Sequence, residues 1–518
     1  MSVPKRLAAL ATGLLLGLTG CTSFSETDGA AAPAAASATP TPEQVDAIAW
    51  TDCDSEIQQL IAGQPGAERD LSFECGRTDV PVTYDDPDGP TLQLFMIRVV
   101  MAGQTDREGS LLVNPGGPGG SGVDAVVGLA LTLPVEVLQR FDLVGFDPRG
   151  VGLSSPVECV DAELKDRSAA SEPQPTTPEQ LDDAFALTRE VADACADEYG
   201  EGLGAFSTVA TARDMDRLRQ ALGDEQLSYL GYSYGTTLGS TYAELFPENV
   251  RALVLDGAVD PDATEQESAE GQARAFEAAF DAFAANCTGL LAGCPIGADP
   301  RGFVTSLLAQ ARTAPIPSSE AGETRQATAG HVFTAVLAAL YDTSSWPQLA
   351  QALASAQAGD SAGVFTLADS YNGRFPDGTY SNITDANLAI NCADTDEEYT
   401  EAQVRALVAD WSVRYPLFGA GSASSLYTCS VWDAPRTPLP ERDAQGSAPI
   451  VVVGTEGDPA TPYPGAVDMA EDLDAGVLLT WQGNGHTAYP KTPCVTAAVD
   501  AYLTDLTVPA DGLVCPAA

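Results

Sequence analysis

The first half of the chain alternates two textures. Residues 91–100 (Thr-Leu-Gln-Leu-Phe-Met-Ile-Arg-Val-Val) are rich in β-formers and partly alternate, while 111–113 and 141–146 are short apolar runs bounded by Gly and Pro. Residues 226–230 and 252–255 repeat that pattern. Runs this short and this uniformly apolar predict strands buried on both faces. Helical material lies between them, as at 212–222. Strands alternating with helices predict an α/β fold around a mostly parallel central sheet. Beyond Asp260 the chain becomes Ala-rich with helical periodicity, for example at 269–285 and 332–341. The buried-strand texture then returns at 449–454 and 477–479. The pattern predicts a core in two pieces, 46–261 and 447–518, with a large helical cap, 262–446, inserted between them.

The N-terminus reads differently. Lys5 and Arg6 precede an apolar run, 7–18, that is too short to span a membrane and suits a signal peptide. The run ends in Leu18-Thr19-Gly20-Cys21, which resembles a bacterial lipobox. Residues 1–20 are therefore expected to be removed and Cys21 to carry lipid, with the Ala/Ser/Thr/Pro-rich stretch 21–45 as a flexible tether. This reading places the protein at the outer face of the cell membrane, in the cell envelope. The alternative is a plain signal peptide with a chance cysteine.

Cysteine number agrees with export. There are 11, and setting Cys21 aside leaves ten. An oxidising compartment allows these to pair. Neighbours along the chain give Cys53–Cys75, Cys159–Cys195, Cys287–Cys294, Cys392–Cys429 and Cys494–Cys515, although sequence alone does not fix connectivity. A zinc site is disfavoured by the lack of a C-x-x-C pair and by only two histidines, so no metal is expected. Charge narrows the partners further. With 25 basic against 73 acidic residues, net −48, the chain lacks the basic surface that nucleic-acid binding requires. Its acidity suits a soluble, self-repelling surface or, more sharply, a pocket that attracts cationic substrate termini.

Gly231-Tyr232-Ser233-Tyr234-Gly235 is a G-x-S-x-G motif between the predicted strand 226–230 and a predicted helix at 236–246. In that context it predicts a nucleophile elbow, where small residues flank a serine on a sharp strand-to-helix turn. A serine hydroxyl needs a base. His486, in the Gly-rich loop Gly483-Asn484-Gly485-His486 after strand 477–479, lies where an open α/β sheet builds its site. His331 starts a cap helix and is read as a surface or helix-end residue. The acid that orients the base is assigned to Asp458, after strand 449–454 and before Pro459, with Glu456 as its rival. Chain order is then Ser, Asp, His, as this architecture expects. For the oxyanion, one N–H is expected from Tyr234 and a second from the loop Asn114-Pro115-Gly116-Gly117-Pro118-Gly119-Gly120-Ser121-Gly122. The alternative use of that loop, a phosphate cradle, lacks the Gly-Lys-Ser/Thr it would need.

Five segments together resemble the proline-iminopeptidase and tripeptidyl-aminopeptidase branch of the α/β-hydrolases, in its exported actinobacterial lipoprotein form. They are the 114–122 loop, residues 145–154 (Gly-Phe-Asp-Pro-Arg-Gly-Val-Gly-Leu-Ser), the 231–235 motif, Gly457-Asp458 and Gly485-His486. The mycobacterial cell-envelope serine proteases and carboxylesterases are similar. The resemblance implies an α/β-hydrolase fold with Ser233, Asp458 and His486 as nucleophile, acid and base, and with Gly117 and Tyr234 as oxyanion donors. It implies an aminopeptidase that releases short peptides from free N-termini of peptide or protein substrates, acting as a monomer without cofactor. The same triad also serves a carboxylesterase or lipase, and a non-catalytic binding lipoprotein is a third reading. Proline iminopeptidases usually carry His where this chain has Asn114-Pro115, which puts strict proline specificity in doubt. Within 389–394, Asn391 and Asp394 are the residues implied for the substrate's free amine, against an ordinary disulfide-tied loop. Thr461 is expected to support the Asp458 loop or touch substrate. The Asp147-Pro-Arg-Gly150 segment is expected to brace its turn.

Overall fold

The computed structural model describes residues 45–517, and from Val45 onward the chain forms one compact unit. The expected signal peptide, the Cys21 lipidation site and nearly all of the tether lie outside the described residues.

Seven strands precede the large insertion: β1 (Thr51–Asp52), β2 (Leu71–Pro81), β3 (Thr91–Met101), β4 (Gly109–Asn114), β5 (Phe141–Phe146), β6 (Leu227–Tyr232) and β7 (Val250–Asp256). The insertion carries a two-stranded ribbon, β8 (Ile316–Pro317) with β9 (Gln326–Ala327). After it come β10 (Ile450–Gly457), β11 (Gly476–Asn484) and β12 (Leu513–Cys515). The ten-stranded sheet runs β1-β2-β3-β5-β4-β6-β7-β10-β11-β12. The first three pairings are antiparallel and the other six parallel. Every residue of β4 and β5 is buried, which is why these strands read as mostly apolar runs without polar alternation. Leu112 faces one core and its neighbours Leu111 and Val113 face the other, so both sides of the sheet are covered.

The helical insertion between β7 and β10 has its own core, built around Phe280, Phe283, Val332, Leu349 and Phe365. One boundary differs from expectation. The Pro178–Tyr199 helix falls within the stretch read as core, yet its Leu181 and Phe185 pack with Val404, Val408 and Trp411 of the insertion. Its amphipathic pattern predicts an apolar face but does not name the neighbour that covers it. Five disulfides join Cys53–Cys75, Cys159–Cys195, Cys287–Cys294, Cys392–Cys429 and Cys494–Cys515, the neighbouring pairs suggested above. No helix among the described residues is long and apolar enough to cross a membrane.

Beneath the site edge of the sheet lies an ion pair that water does not reach. Arg149 and Asp214 have fully buried side chains joined by two bonds, Nε to Oδ2 (2.7 Å) and Nη2 to Oδ1 (2.6 Å). The remaining guanidinium hydrogens go to the carbonyls of Pro81, Val82 and Ala205. Arg149 thus ties its own turn to the end of β2, to the short helix Gly200–Phe206 and to the helix Thr208–Leu222, the bracing role expected for its motif. Asp214→Ala would strand the guanidinium unpaired, at about 3–5 kcal/mol. Chemical denaturation should register that loss, and an unfolding midpoint equal to wild type would show that the pair does not hold the fold.

Candidate active site

Ser233 stands at a sharp turn. β6 ends at Tyr232, a helix begins at Tyr234, and Ser233 between them has φ 57° and ψ −125°. A positive φ on a non-glycine residue costs on the order of 1–3 kcal/mol and persists only where its surroundings fix it. They do so here. A Cβ on Gly231 would collide with the Gly235 carbonyl, and one on Gly235 would come 2.8 Å from the Asn114 carbonyl. The two glycines of the motif are therefore required by close approach. The helix starts two residues earlier than expected, so Tyr234 is its first residue, and its N–H has no carbonyl one turn back.

The 114–122 loop lies directly against this turn. A Cβ on Gly116 would come 2.8 Å from Ser233 Cβ. Gly116 N–H donates to Asn114 Oδ1 (2.9 Å), and the next residue, Gly117, has φ 115°. Among the described residues the Gly117 N–H has no acceptor. The loop is held at its far end by Asp147, which accepts from Ser121 Oγ (2.7 Å), Val123 N (3.3 Å) and Leu153 N (2.9 Å).

Asp458 and His486 are brought together by strand register. Gly457 at the end of β10 pairs with Asn484 in β11 after an irregularity at Thr455/Gly457, so the residues that follow leave the sheet side by side. This pairing also extends β11 through Gly483-Asn484, which the glycines suggested as loop. His486 Nδ1 lies 2.9 Å from both Asp458 oxygens. A carboxylate only accepts, so Nδ1 carries the proton. Asp458 further accepts from Ala460 N (2.9 Å), Thr461 N (3.0 Å) and Thr461 Oγ1 (3.1 Å). Thr461 therefore braces the carboxylate, and its hydroxyl also lies 3.3 Å from His486 Nδ1. Glu456 is exposed and accepts from Gln482 (3.2 Å), which leaves Asp458 as the acid at the imidazole.

Residues not foreseen complete the arrangement. Ser233 N–H donates to the Asp256 carbonyl (2.9 Å). Gly257 beside it lies against the imidazole, since a Cβ there would come 3.1 Å from His486 Cε1. The Asp256 carboxylate is buried among the amides of Ala488 (3.0 Å to each oxygen) and Tyr489 (2.7 Å), in the loop that carries His486. Burial pushes this carboxyl up to about 6, opposed by those amides and by Lys491 and His486. Tyr341 of the cap accepts His486 N–H through its carbonyl (2.7 Å) and sets its ring edge-on to the imidazole at 5.4 Å.

The remaining candidates fall elsewhere. His331 is buried rather than on the surface. Its Nδ1 accepts from Thr328 N (3.2 Å) at the start of a cap helix, and burial pulls it down to about 4, so it stands neutral. Residues 389–394 are helical rather than a loop, being the last turns of the Ile383–Asp394 helix. Asn391 is exposed and donates to Asn387 Oδ1 (3.0 Å). The Asp394 carboxyl is already occupied, by Thr208 N (2.8 Å) and Thr208 Oγ1 (2.6 Å), and burial raises it to about 7. That geometry differs from the expected free acceptor for a substrate amine. Among the described residues no cluster of His, Cys, Asp and Glu has the form of a metal site.

Asp256 generates a pH test with opposite signs for activity and stability. Folding raises its carboxyl from 3.8 to about 6. Its contribution to stability is thus fully present below about 3.8 and is lost as pH rises through about 6. Protonation near pH 6 nonetheless removes an acceptor from the His486 loop. Activity should therefore fall below about pH 6 while thermal stability does not fall through this group. Asp256→Asn should lower kcat about 10–100-fold at pH 8 and remove one ionisation from the acid limb. An acid limb identical to wild type would remove Asp256 from the account.

Comparison with known proteins gives the same picture from another side. Residues 415–515 match the TAP-like protein family. The chain is 39% identical to the serine protease Hip1 of Mycobacterium tuberculosis, over 90% of this chain and 91% of that protein. It is 38% identical to carboxylesterase B of the same species, over 99% and 98%. It is 32% identical to the tripeptidyl aminopeptidase of Streptomyces coelicolor, over 83% and 81%. With relatives this similar over nearly their whole length, and with a mostly parallel sheet carrying a serine elbow, the chain belongs to the TAP-like family of α/β-hydrolases.

Proposed function

We propose that the protein is a serine peptidase that removes short peptides from free N-termini through an acyl-enzyme on Ser233. The observation that carries this reading is the Asp458–His486 contact at 2.9 Å, set beside a serine held at positive φ. Asp458 fixes the imidazole with Nδ1 protonated, which leaves Nε2 to take the Ser233 proton as Oγ attacks the scissile carbonyl. The oxyanion is received by the N–H groups of Gly117 and Tyr234. His486 then protonates the departing amine and activates the water that releases the acyl group.

Two features favour a cationic peptide terminus. The charged residues that wall a cleft of about 550 Å³ beside Thr461 are mainly acids, among them Asp260, Asp262, Glu267, Asp468 and Asp472, against one basic residue, Arg274. Burial, together with neighbouring carboxylates, raises Asp468 and Asp472. A wall of this sign attracts a protonated amine. The similarity to a tripeptidyl aminopeptidase and to a serine protease points the same way. A second reading, a carboxylesterase, is favoured by the match to carboxylesterase B over nearly the whole chain. The lipobox-like Leu18–Cys21 segment supports attachment to the outer face of the membrane through lipid on Cys21.

A fluorophosphonate should label wild type and fail on Ser233→Ala, whose kcat should fall at least about 10⁴-fold. Free peptide amides should turn over faster than N-blocked ones. If only p-nitrophenyl esters are cleaved, the enzyme is the esterase, and if Ser233→Ala keeps its activity the nucleophile is misassigned. Cells fed an alkynyl fatty acid should tag the wild-type protein and leave Cys21→Ala untagged, and equal tagging would reject the anchor.

A further inference from the structure

One cap helix reaches, by separate routes, the residue after Gly117 and the side chain of Tyr234, Gly117 and Tyr234 being the two residues whose amides are assigned to the oxyanion. In the middle of the Ile383–Asp394 helix, Asn387 Nδ2 donates to the carbonyl of Pro118 (3.0 Å), the residue after Gly117. Its amide orientation is fixed from behind, because Asn391 donates to Asn387 Oδ1 (3.0 Å) and so turns the Asn387 NH₂ toward the loop. The fit is close along this stretch. A Cβ on Gly119 would come 2.6 Å from the Ile383 carbonyl and 3.1 Å from Asn387 N. At the end of the same helix, Asp394 accepts from Thr208 Oγ1 (2.6 Å), and Thr208 Oγ1 meets the hydroxyl of Tyr234. With Asp394 ionised, the one hydroxyl hydrogen of Thr208 goes to the carboxylate and the Tyr234 hydroxyl donates to Thr208, a chain that runs Tyr234 to Thr208 to Asp394.

The helix is itself fastened to the core. Asn382, just before it, donates to the carbonyls of Gly150 (2.7 Å) and Val157 (2.9 Å) and accepts from Gly152 N (3.0 Å). Asp385 accepts from the amides of Cys159 (3.0 Å) and Val160 (2.8 Å) and pairs with Lys165. Cys392 is bonded to Cys429. A helix held at its start, middle and end is a rigid reference, and an oxyanion hole acts through donors fixed before the charge develops.

We propose that the Ile383–Asp394 helix is the bracket that sets the oxyanion hole, with Asn387 the positioning residue for the Gly117 amide and Asp394, through Thr208, the positioning residue for the Tyr234 amide. This rests on the proposed acyl-enzyme at Ser233, with Gly117 and Tyr234 as its oxyanion donors. It gives the helix a role in the transition state, distinct from holding a substrate amine. Neither side chain touches the reacting atoms. Asn387 holds Pro118, the neighbour of Gly117, and Asp394 through Thr208 holds the side chain of Tyr234, while the backbone N–H groups of Gly117 and Tyr234 face the oxyanion.

The test separates transition-state stabilisation from binding and from folding. A displacement of about 1 Å at a catalytic group costs on the order of 10²-fold in rate. Asn387→Ala and Asp394→Ala should each lower kcat by about that factor with KM within twofold of wild type. Affinity for a peptidyl boronate, which mimics the tetrahedral adduct, should fall by the same factor as kcat. Tyr234→Phe removes one hydroxyl and keeps the backbone amide, so it reports on the second arm even where Asp394→Ala does not fold. Asn387→Asp, isosteric but unable to donate, should behave as Asn387→Ala. Well-folded Asn387→Ala and Tyr234→Phe with wild-type kcat and boronate affinity would overturn the bracket. A rise confined to KM would overturn it in favour of substrate contact. Loss of the parent reading looks different, because there the wild-type Ser233 would fail to label with fluorophosphonate.

Discussion

The site hangs on Asp256, whose main chain and side chain serve different arms of it. Its carbonyl accepts the Ser233 amide, and its carboxylate accepts the amides of Ala488 and Tyr489 two and three residues beyond His486. Register puts it there, because β7 pairs Asp256 with Tyr232 of β6 on one side and with Val453 of β10 on the other. A one-residue slip of β7 would turn this carboxylate to the opposite face of the sheet. Burying it is unfavourable by itself, as its raised position near 6 records, and the backbone donors offset that cost. A buried carboxylate kept at such a cost fixes geometry, and here it fixes the distance between an elbow and a histidine loop that are remote in the chain.

The parts of this arrangement visible in the sequence were those where chemistry or burial leaves few choices. Strands β4 to β7 are buried on both faces, so their apolar runs stand out. β2 escaped notice because its burial is mixed, with Cys75, Gly76 and Arg77 in mid-strand. β1 and β12 are too short to carry a pattern. A base for Ser233 had to be one of two histidines, and the strand before His486 decided between them. Asp256 had no such advantage, being one acid among 73, although an acidic residue ending the buried apolar run 252–255 is a signal that could have been read. Asn387 carries no motif at all. An amide on a half-buried helix becomes informative only when the carbonyl it meets is known.

Asp394 shows how a residue type suggested by resemblance can be spent on another task. An acidic residue near the site suits an amine in principle. In this chain the carboxyl accepts both the backbone N–H and the hydroxyl of Thr208, at the first turn of the Thr208–Leu222 helix, where an anion is favoured by unsatisfied amides. The acidic surface that remains open lines the cleft beside Thr461, along Asp260, Asp262, Asp468 and Asp472. On the proposed peptidase reading a cationic terminus would be drawn to this cleft, while the buried Asp394 meets the elbow through Thr208.

The same contacts limit how the cap can move. Lifting it from the core on the side of the Ile383–Asp394 helix would break Asn382 from Gly150 and Val157, Asn387 from Pro118, and Asp394 from Thr208 together. The Asn387 bond holds the 114–122 loop and the Asp394 bond reaches Tyr234 through Thr208, so opening there would disturb both proposed oxyanion donors. A lid opening on that side would have to rebuild the arrangement in each cycle, at the expense of preorganisation. The Pro178–Tyr199 helix adds to the restraint, since Phe185 packs on Tyr427 at 4.6 Å and the Cys159–Cys195 bond ties it to the segment that Asp385 grips. This flank of the cap is therefore built as a fixed wall, and any motion that admits substrate must spare it.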